Sequence, residues 1–265
     1  MSHRGLAYAS CQNPVHSLKI GMSPQSGIFA AARAWIANNV AGRLAPPAPA
    51  GRYAPRLLIF AATRAPDLVG RRFRVEAPNR LLVADFTYVP MATGGFGYTA
   101  FVIDVDAGLI PGWECSLPKQ AAFVRRALLH AVAYRARQGR TLRGNTIHHS
   151  DAGSQYTSLR FGETLSLSGL QPSVGSVGDA YDNALAETTI GLYKNECIRA
   201  DSPFRRGHLS TLAHVELITA DYVAWYNQQR LMHRLGRVPP AEAEAHYYSE
   251  HVTDRPAGSQ NPEGA

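Results

Sequence analysis

Between residues 78 and 200 the chain switches between two apolar periods, one typical of strands and one typical of helices. Leu81-Leu82-Val83-Ala84-Asp85-Phe86-Thr87-Tyr88-Val89 is a β-rich run interrupted by one carboxylate. Gly94-Gly95 predicts a turn, Tyr98 to Asp104 a second strand, Gly108 another turn, and Leu109 to Cys115 a third strand, giving a meander. From Gln120 to Gln138, Phe123, Ala127, Leu128, Ala131 and Tyr134 recur at helical spacing, with Arg125, Arg126, Arg135 and Arg137 among the remaining positions. Thr146 to His149 reads as a short strand ending at Ser150-Asp151, Ser158 to Ser168 as a helix, and Pro172 to Val174 as a brief extended piece. A longer helix is predicted from about Asn183 to Ile198, with Asp182 as its N-cap. The order βββαβαβα implies an α/β fold, a mixed five-stranded sheet with helices packed against it. Residues 209–250 then read as a helical extension and residues 251–265 as a disordered tail.

Before this pattern begins, residues 1–66 are rich in Ala, Gly and Pro, and Ala45-Pro46-Pro47-Ala48-Pro49-Ala50 reads as a linker. Ile28 to Val40 has helical spacing, but little around it completes a core. The expectation is a basic, poorly ordered segment over 1–66, a catalytic core over 67–208 and the helical extension beyond. Net charge is +7, and no Asp or Glu precedes Asp67. Arg4, Lys19, Arg33, Arg43, Arg52, Arg56 and Arg64 therefore account for the whole excess. Such an arm fits sequence-independent attraction to nucleic-acid phosphates, or equally a segment that never folds. Cys11, Cys115 and Cys197 are too few and scattered for a disulfide framework or a zinc site. The apolar run Leu57 to Ala62 is far short of the ~20 residues that span a bilayer. With no signal-peptide pattern at the start, a cytoplasmic protein without a membrane partner is expected.

Three carboxylates stand out by position. Asp85 lies inside an apolar strand, where an unpaired charge is costly without a cation. Asp151 lies where a strand opens into a Gly/Ser loop, and Glu187 one turn into a helix. Phosphoryl transfer on DNA is well served by two Mg²⁺ ions held by hard oxygen ligands from rigid elements. With 20 acidic residues in the chain, position alone does not single these three out.

The surrounding residues do. Val83-Ala84-Asp85-Phe86-Thr87-Tyr88, followed by Tyr98 to Asp104, resembles the first two strands of the integrase core in bacterial insertion-sequence transposases. His148-His149-Ser150-Asp151-Ala152-Gly153-Ser154-Gln155-Tyr156 is similar to that family's motif around its second catalytic aspartate. Gly178 to Glu187 resembles the segment carrying its third acid, and 35 residues separate Asp151 from Glu187 as the family's signature requires. Tyr226-Asn227, Arg230, His233, Leu235-Gly236 and Pro239-Pro240 resemble the end of the same domain. The resemblance implies a ribonuclease-H-like fold in which Asp85, Asp151 and Glu187 are the catalytic and metal-binding triad for two Mg²⁺ (or Mn²⁺) ions. It implies cleavage at an element's ends followed by attack of the freed 3′-hydroxyl on target DNA, by a chain that is nucleoid-associated when bound and forms a homo-oligomer on DNA. Lys194 stands seven residues after Glu187, where the family places a basic residue, and a helix puts it some 10 Å along the same face, within reach of a phosphate.

Leu82 replaces a tryptophan common in the family, and residues 1–66 show no clear helix-turn-helix, a part that an upstream reading frame supplies in some members. A decayed, non-catalytic DNA-binding relic and a ribonuclease-H-like nuclease stay open as alternatives. His148 and His149, adjacent on a strand, point to opposite faces and do not suit one zinc; one ring is expected inside and the other beside the site. Asp104 is expected to end its strand in a turn with Asp106, Asp179 and Asp182 to be loop and cap residues, and Gly175 and Gly178 to allow a mobile loop over the site.

Overall fold

The structure, a computed structural model, describes residues 64–142, 144–176 and 183–252. The 28–40 helix, the 45–50 linker, Gly178, Asp179, Asp182 and the tail from 253 fall outside the described residues. Five strands are seen: β1 (Leu81–Pro90), β2 (Phe96–Asp104), β3 (Gly112–Ser116), β4 (Ile147–Ser150) and β5 (Gln171–Val174). They form one sheet in the order β3-β2-β1-β4-β5. β1 pairs antiparallel with β2 and β2 with β3, whereas β4 runs parallel to β1 and β5 parallel to β4. Helices α1 (Ala121–Arg137) and α2 (Leu159–Leu167) link the later strands. After β5 come α3 (Ala184–Tyr193), a wide π turn (Lys194–Ile198), α4 (Leu212–Gln228), a 3₁₀ turn (His233–Leu235) and α5 (Pro240–Val252).

Strand alternation sorts the apolar residues into two cores. Leu81, Val83, Phe101 and Ile103 face one side, with Ile190, Tyr193, Val215 and Tyr222 from α3 and α4. Leu82, Ala84, Ala100 and Val102 face the other, with Phe123, Leu128, Phe161 and Leu165 from α1 and α2. Each fully buried Leu, Ile or Phe side chain contributes roughly 1.5–3 kcal/mol of transfer free energy, so the two layers clamp the sheet from both sides.

Three expectations are corrected. The third strand starts at Gly112 rather than Leu109. Leu109 O accepts instead from Asp104 N in the turn, and Asn227 of α4 bonds both backbone groups of Ile110, with Ile110 N to Oδ1 and Nδ2 to Ile110 O each at 2.9 Å. Those buried polar groups are thus satisfied by a side chain and not by a ladder. Second, Arg135 is fully buried. The core stripe runs Phe123, Ala127, Ala131, Arg135 in steps of four, so the arginine occupies the core phase expected of Tyr134. Its Nη2 meets Asp104 Oδ2 at 2.8 Å and its Nη1 meets Glu244 Oε1 of α5 at 2.6 Å. Asp104 does accept from Asp106 N in the turn, yet it also receives Asn79 N at 2.7 Å and anchors this buried pair. Third, both His148 and His149 are buried, at 1% exposure each, so neither borders the site. β4 is an inner strand covered on both faces: His148 packs edge-on to Phe161, and His149 reaches Ser173 Oγ at 2.8 Å. Burial pushes the His148 imidazole down to about 3, so it is neutral in the fold.

Candidate active site

The site arises where β1 outruns its neighbour. β4 ends at Ser150, which pairs with Ala84, while β1 continues to Pro90. From Asp85 on, β1 has β2 on one side and no described strand on the other. Side chains complete the freed backbone: Asp85 Oδ1 accepts from Phe86 N at 2.7 Å, and Asn183 Nδ2 donates to Ala84 O at 3.2 Å. Asn183 sits at the N-cap position of α3 without a capping side-chain bond, and its Nδ2 is given to the sheet. That link moors the start of α3, and with it Glu187, beside the middle of β1, where β4 stops.

Glu187 is exposed on the first turn of α3, while Ala186, Thr189, Ile190 and Tyr193 bury the helix's opposite side. Tyr193 holds the far end: its hydroxyl bonds Thr219 Oγ1 of α4 at 2.7 Å and Thr99 Oγ1 of β2 at 3.3 Å. Asp151 follows Ser150 directly, so it stands next to Asp85 in strand register. It is exposed, and its Oδ1 accepts from Gly153 N at 3.1 Å. An open cleft of about 420 Å³ is lined by Asp85, Glu187 and Lys194 together with Lys119, Tyr88 and Tyr98. Asp151 is not among its lining residues, though it is near enough to Asp85 to repel its carboxylate.

Electrostatics tie the four charged groups together. The Asp85 carboxyl is pushed up to about 7, first by burial and then by repulsion from Asp151 and Glu187. The Phe86 N–H and the Lys194 ammonium oppose that rise without cancelling it. Among the described residues, no group of three or more His, Cys, Asp or Glu side chains is gathered closely enough to hold a metal ion. Asp85 and Asp151 each give an oxygen to a nearby backbone N–H instead. The donor chemistry nevertheless fits a hard divalent cation, with carboxylate oxygens alone and one carboxyl whose ionisation its neighbours oppose.

Lys194 opens the π turn, and its ammonium lies 4.8 Å from the centre of the Tyr88 ring. Two residues on, Glu196 is clamped by Arg230, whose Nε and Nη2 approach its oxygens at 2.9 and 2.7 Å, and by the Tyr222 hydroxyl at 3.0 Å. The Tyr226-Asn227 and Arg230 motif is therefore structural in this fold, clasping Ile110 and Glu196 from α4 and the turn after it. Sequence reasoning missed Lys119 and Tyr88 in the cleft. The signal was present in Phe86, Tyr88, Phe96 and Tyr98, an aromatic group at same-face positions of two paired strands.

A mixed five-stranded sheet in this order, with one acid midway along the central strand, one just past the end of its neighbour and one on a following helix, is the ribonuclease-H-like fold of the integrase catalytic cores. A chain of the simian T-cell lymphotropic virus intasome superposes with a TM-score of 0.52 at 15% identity, covering 72% of this chain and 60% of that one. Family models described as integrase core domain match residues 75–180 and 168–240. The chain is 48% identical over 197 residues to a protein of Mycobacterium tuberculosis named for the transposase of insertion sequence element IS986/IS6110, covering 74% of this chain and 68% of that protein. It is also 48% identical over 188 residues to the transposase for insertion sequence element IS629 of Shigella sonnei, covering 71% of this chain and 59% of the relative. The chain belongs to the insertion-sequence transposases with an integrase core domain.

Proposed function

We propose that the cleft beside β1, where β4 stops, cuts and joins DNA strands during transposition, with Asp85, Asp151 and Glu187 as the metal-binding catalytic carboxylates. The observation that carries this reading is the Asp85 carboxyl, raised to about 7 by burial and by Asp151 and Glu187, in a cleft that also holds Lys194. Two divalent cations, Mg²⁺ or Mn²⁺, would supply Lewis acidity at the phosphate and at the attacking and leaving oxygens. Asp85, midway along β1, and Asp151, just past the end of β4, would release their backbone N–H partners and turn toward the metal ions. Lys194 moves from the Tyr88 ring to a non-bridging phosphate oxygen and holds the scissile strand in line.

In the first reaction a water oxygen forms the new P–O bond and gives up a proton to solvent, while the 3′ oxygen leaves with the bridging electron pair and takes up a proton from solvent to become the 3′-hydroxyl. In the second reaction the freed 3′-hydroxyl plays the part of water at a target phosphodiester. One ester bond forms as one breaks, so no external energy source is needed. The partners are element ends and target DNA, with a second copy of the chain on the DNA and an upstream-frame product that supplies a helix-turn-helix.

The test is a duplex carrying the element's terminal repeat, incubated with the chain and Mg²⁺ or Mn²⁺. The wild-type chain is expected to cleave and join, and Asp85→Asn to lose both while still binding the duplex. Joining retained in Asp85→Asn would refute this assignment of the site. Cleavage of an RNA–DNA hybrid without any joining would favour the ribonuclease H reading, and binding without metal-dependent nicking the decayed relic.

A further inference from the structure

The cleft holds a second feature that metal chemistry does not use. Along β1, Asp85 and Tyr88 alternate to opposite faces of the sheet, Tyr88 on the face of Ala84 and Phe86. Both line one cleft because no described strand covers the edge of β1 beyond Asp85, so the cleft wraps around that edge. Tyr88 and Phe96 are each 53% exposed, with ring centres 5.1 Å apart in an edge-to-face pair. Lysines attend this aromatic surface: Lys194 lies 4.8 Å from the centre of the Tyr88 ring, and Lys119 lies 5.1 Å from that of Phe86. Tyr98, paired across the strands with Tyr88, lines the same cleft.

Aromatic faces in water beside ammonium groups are complementary to a nucleotide, whose base stacks while its phosphate takes the cation. We propose that Tyr88 and Phe96 form a stacking platform for an unpaired DNA base next to the phosphodiester bound at Asp85. This rests on the DNA-processing reading of the cleft and adds the conformation in which the strand is held. Tyr88 lies three strand steps beyond Asp85, about 10 Å, which places the stacked base within a nucleotide or two of the reacting phosphate. A cation over an exposed ring is held weakly, whereas an ammonium-to-phosphate hydrogen bond is charge-assisted. An incoming phosphate therefore draws Lys194 off the ring, and the base takes its place. Stacking of this kind tolerates every base, so the platform selects a frayed or single-stranded end rather than a sequence.

The test uses the full chain in EDTA, where no strand is cut, with two DNA probes: a blunt duplex, and the same duplex with a short single-stranded end carrying 2-aminopurine. The wild-type chain is expected to bind the overhang about tenfold more tightly than the blunt duplex and to quench 2-aminopurine fluorescence. The double variant Tyr88→Leu, Phe96→Leu keeps apolar bulk without a ring face. It should lose the overhang preference and the quenching while retaining wild-type affinity for the blunt duplex and an unchanged Tm. Tyr88→Phe should behave as wild type. Quenching and preference that persist in the double leucine variant would overturn the proposal, as would an equal loss of affinity for both probes. A shift in sedimentation from dimer to monomer with overhang preference unaltered would also overturn it, showing that the rings meet a second copy instead. Because the readout needs no metal, a chain that stacks but never cuts sinks only the catalytic reading, and one that cuts but does not stack sinks only this one.

Discussion

Asp85 shows how one residue can be poor for stability and suited to a cation site. Its carboxyl is raised from 3.8 to about 7, so the fold disfavours the ionised form. Between those values the unfolded chain binds fewer protons than the folded one, and the stability of the metal-free protein falls as pH rises. Asp85→Asn removes that burden. In EDTA the variant is expected to unfold at a higher temperature than wild type, by an amount that grows between about pH 4 and pH 7 and then levels off. At pH 8 the gain should be about 1–3 kcal/mol, after discounting for the lost bond to Phe86 N. Added Mg²⁺ should reverse the order, because only the wild type gains binding free energy from the cation. Thermal scans across this pH range check the claim, and a difference independent of pH would contradict it. Metal binding should also weaken below about pH 7, where a proton competes for the same oxygen.

At the scale of elements, position depends on a few close joints. β3 reaches α1 at Gly112, where a Cβ would collide with Ala127 O and with the backbone and side chain of Ala131. Neither partner is a flexible side-chain end, so Gly112→Ala is expected to cost about 1–3 kcal/mol, read from urea unfolding at unchanged m-value. A second joint is the buried Arg135, which bonds Asp104 at the end of β2 and Glu244 on α5. Arg140 also reaches Glu244 and lies 3.7 Å from the centre of the Tyr248 ring. Burial outweighs Arg135 at Asp104 and pushes that carboxyl up to about 6. Arg135→Met would leave two buried carboxyls without their main cation, a loss of roughly 3–5 kcal/mol. The triple change Arg135→Met, Asp104→Asn, Glu244→Gln should recover part of it. Equal stability of the single and triple variants would show that the pairing itself contributes nothing.

For the whole molecule, two hydrophobic layers enclose one sheet, and the cleft opens where the shorter β4 leaves β1 exposed. No helix among the described residues is long and apolar enough to cross a membrane. We propose that the seven basic residues of 1–66 add sequence-independent affinity for DNA. Removing residues 1–63, which carry six of these seven, is then expected to leave the core's Tm nearly unchanged and to flatten the dependence of log K on log salt by several units, close to one for each phosphate no longer neutralised. A large drop in Tm on deletion would show instead that the segment is part of the core.

Local pattern carried most of the fold because strand and helix periods are written residue by residue. Val83 and Ala84 sort to opposite layers by alternation alone, and α2, α4 and the four-residue β4 follow from similar signals. The motif residues around Asp85, Asp151 and Glu187 were legible for the same reason, since each is a short contiguous word. What tertiary structure decided was whatever depends on residues far apart in sequence. Arg135 is a surface residue by type and a core residue by its partners at 104 and 244, a distinction that periodicity within α1 only hinted at. His149 lies inside because β5 covers β4, and Leu109 leaves the sheet because Asn227, 117 positions beyond Ile110, bonds that turn. The aromatic platform belongs to the same class. Tyr88 and Phe96 are ordinary strand residues in the sequence, and only the fold sets their rings together and leaves Tyr88 lining a cleft that also holds Asp85 and Lys194.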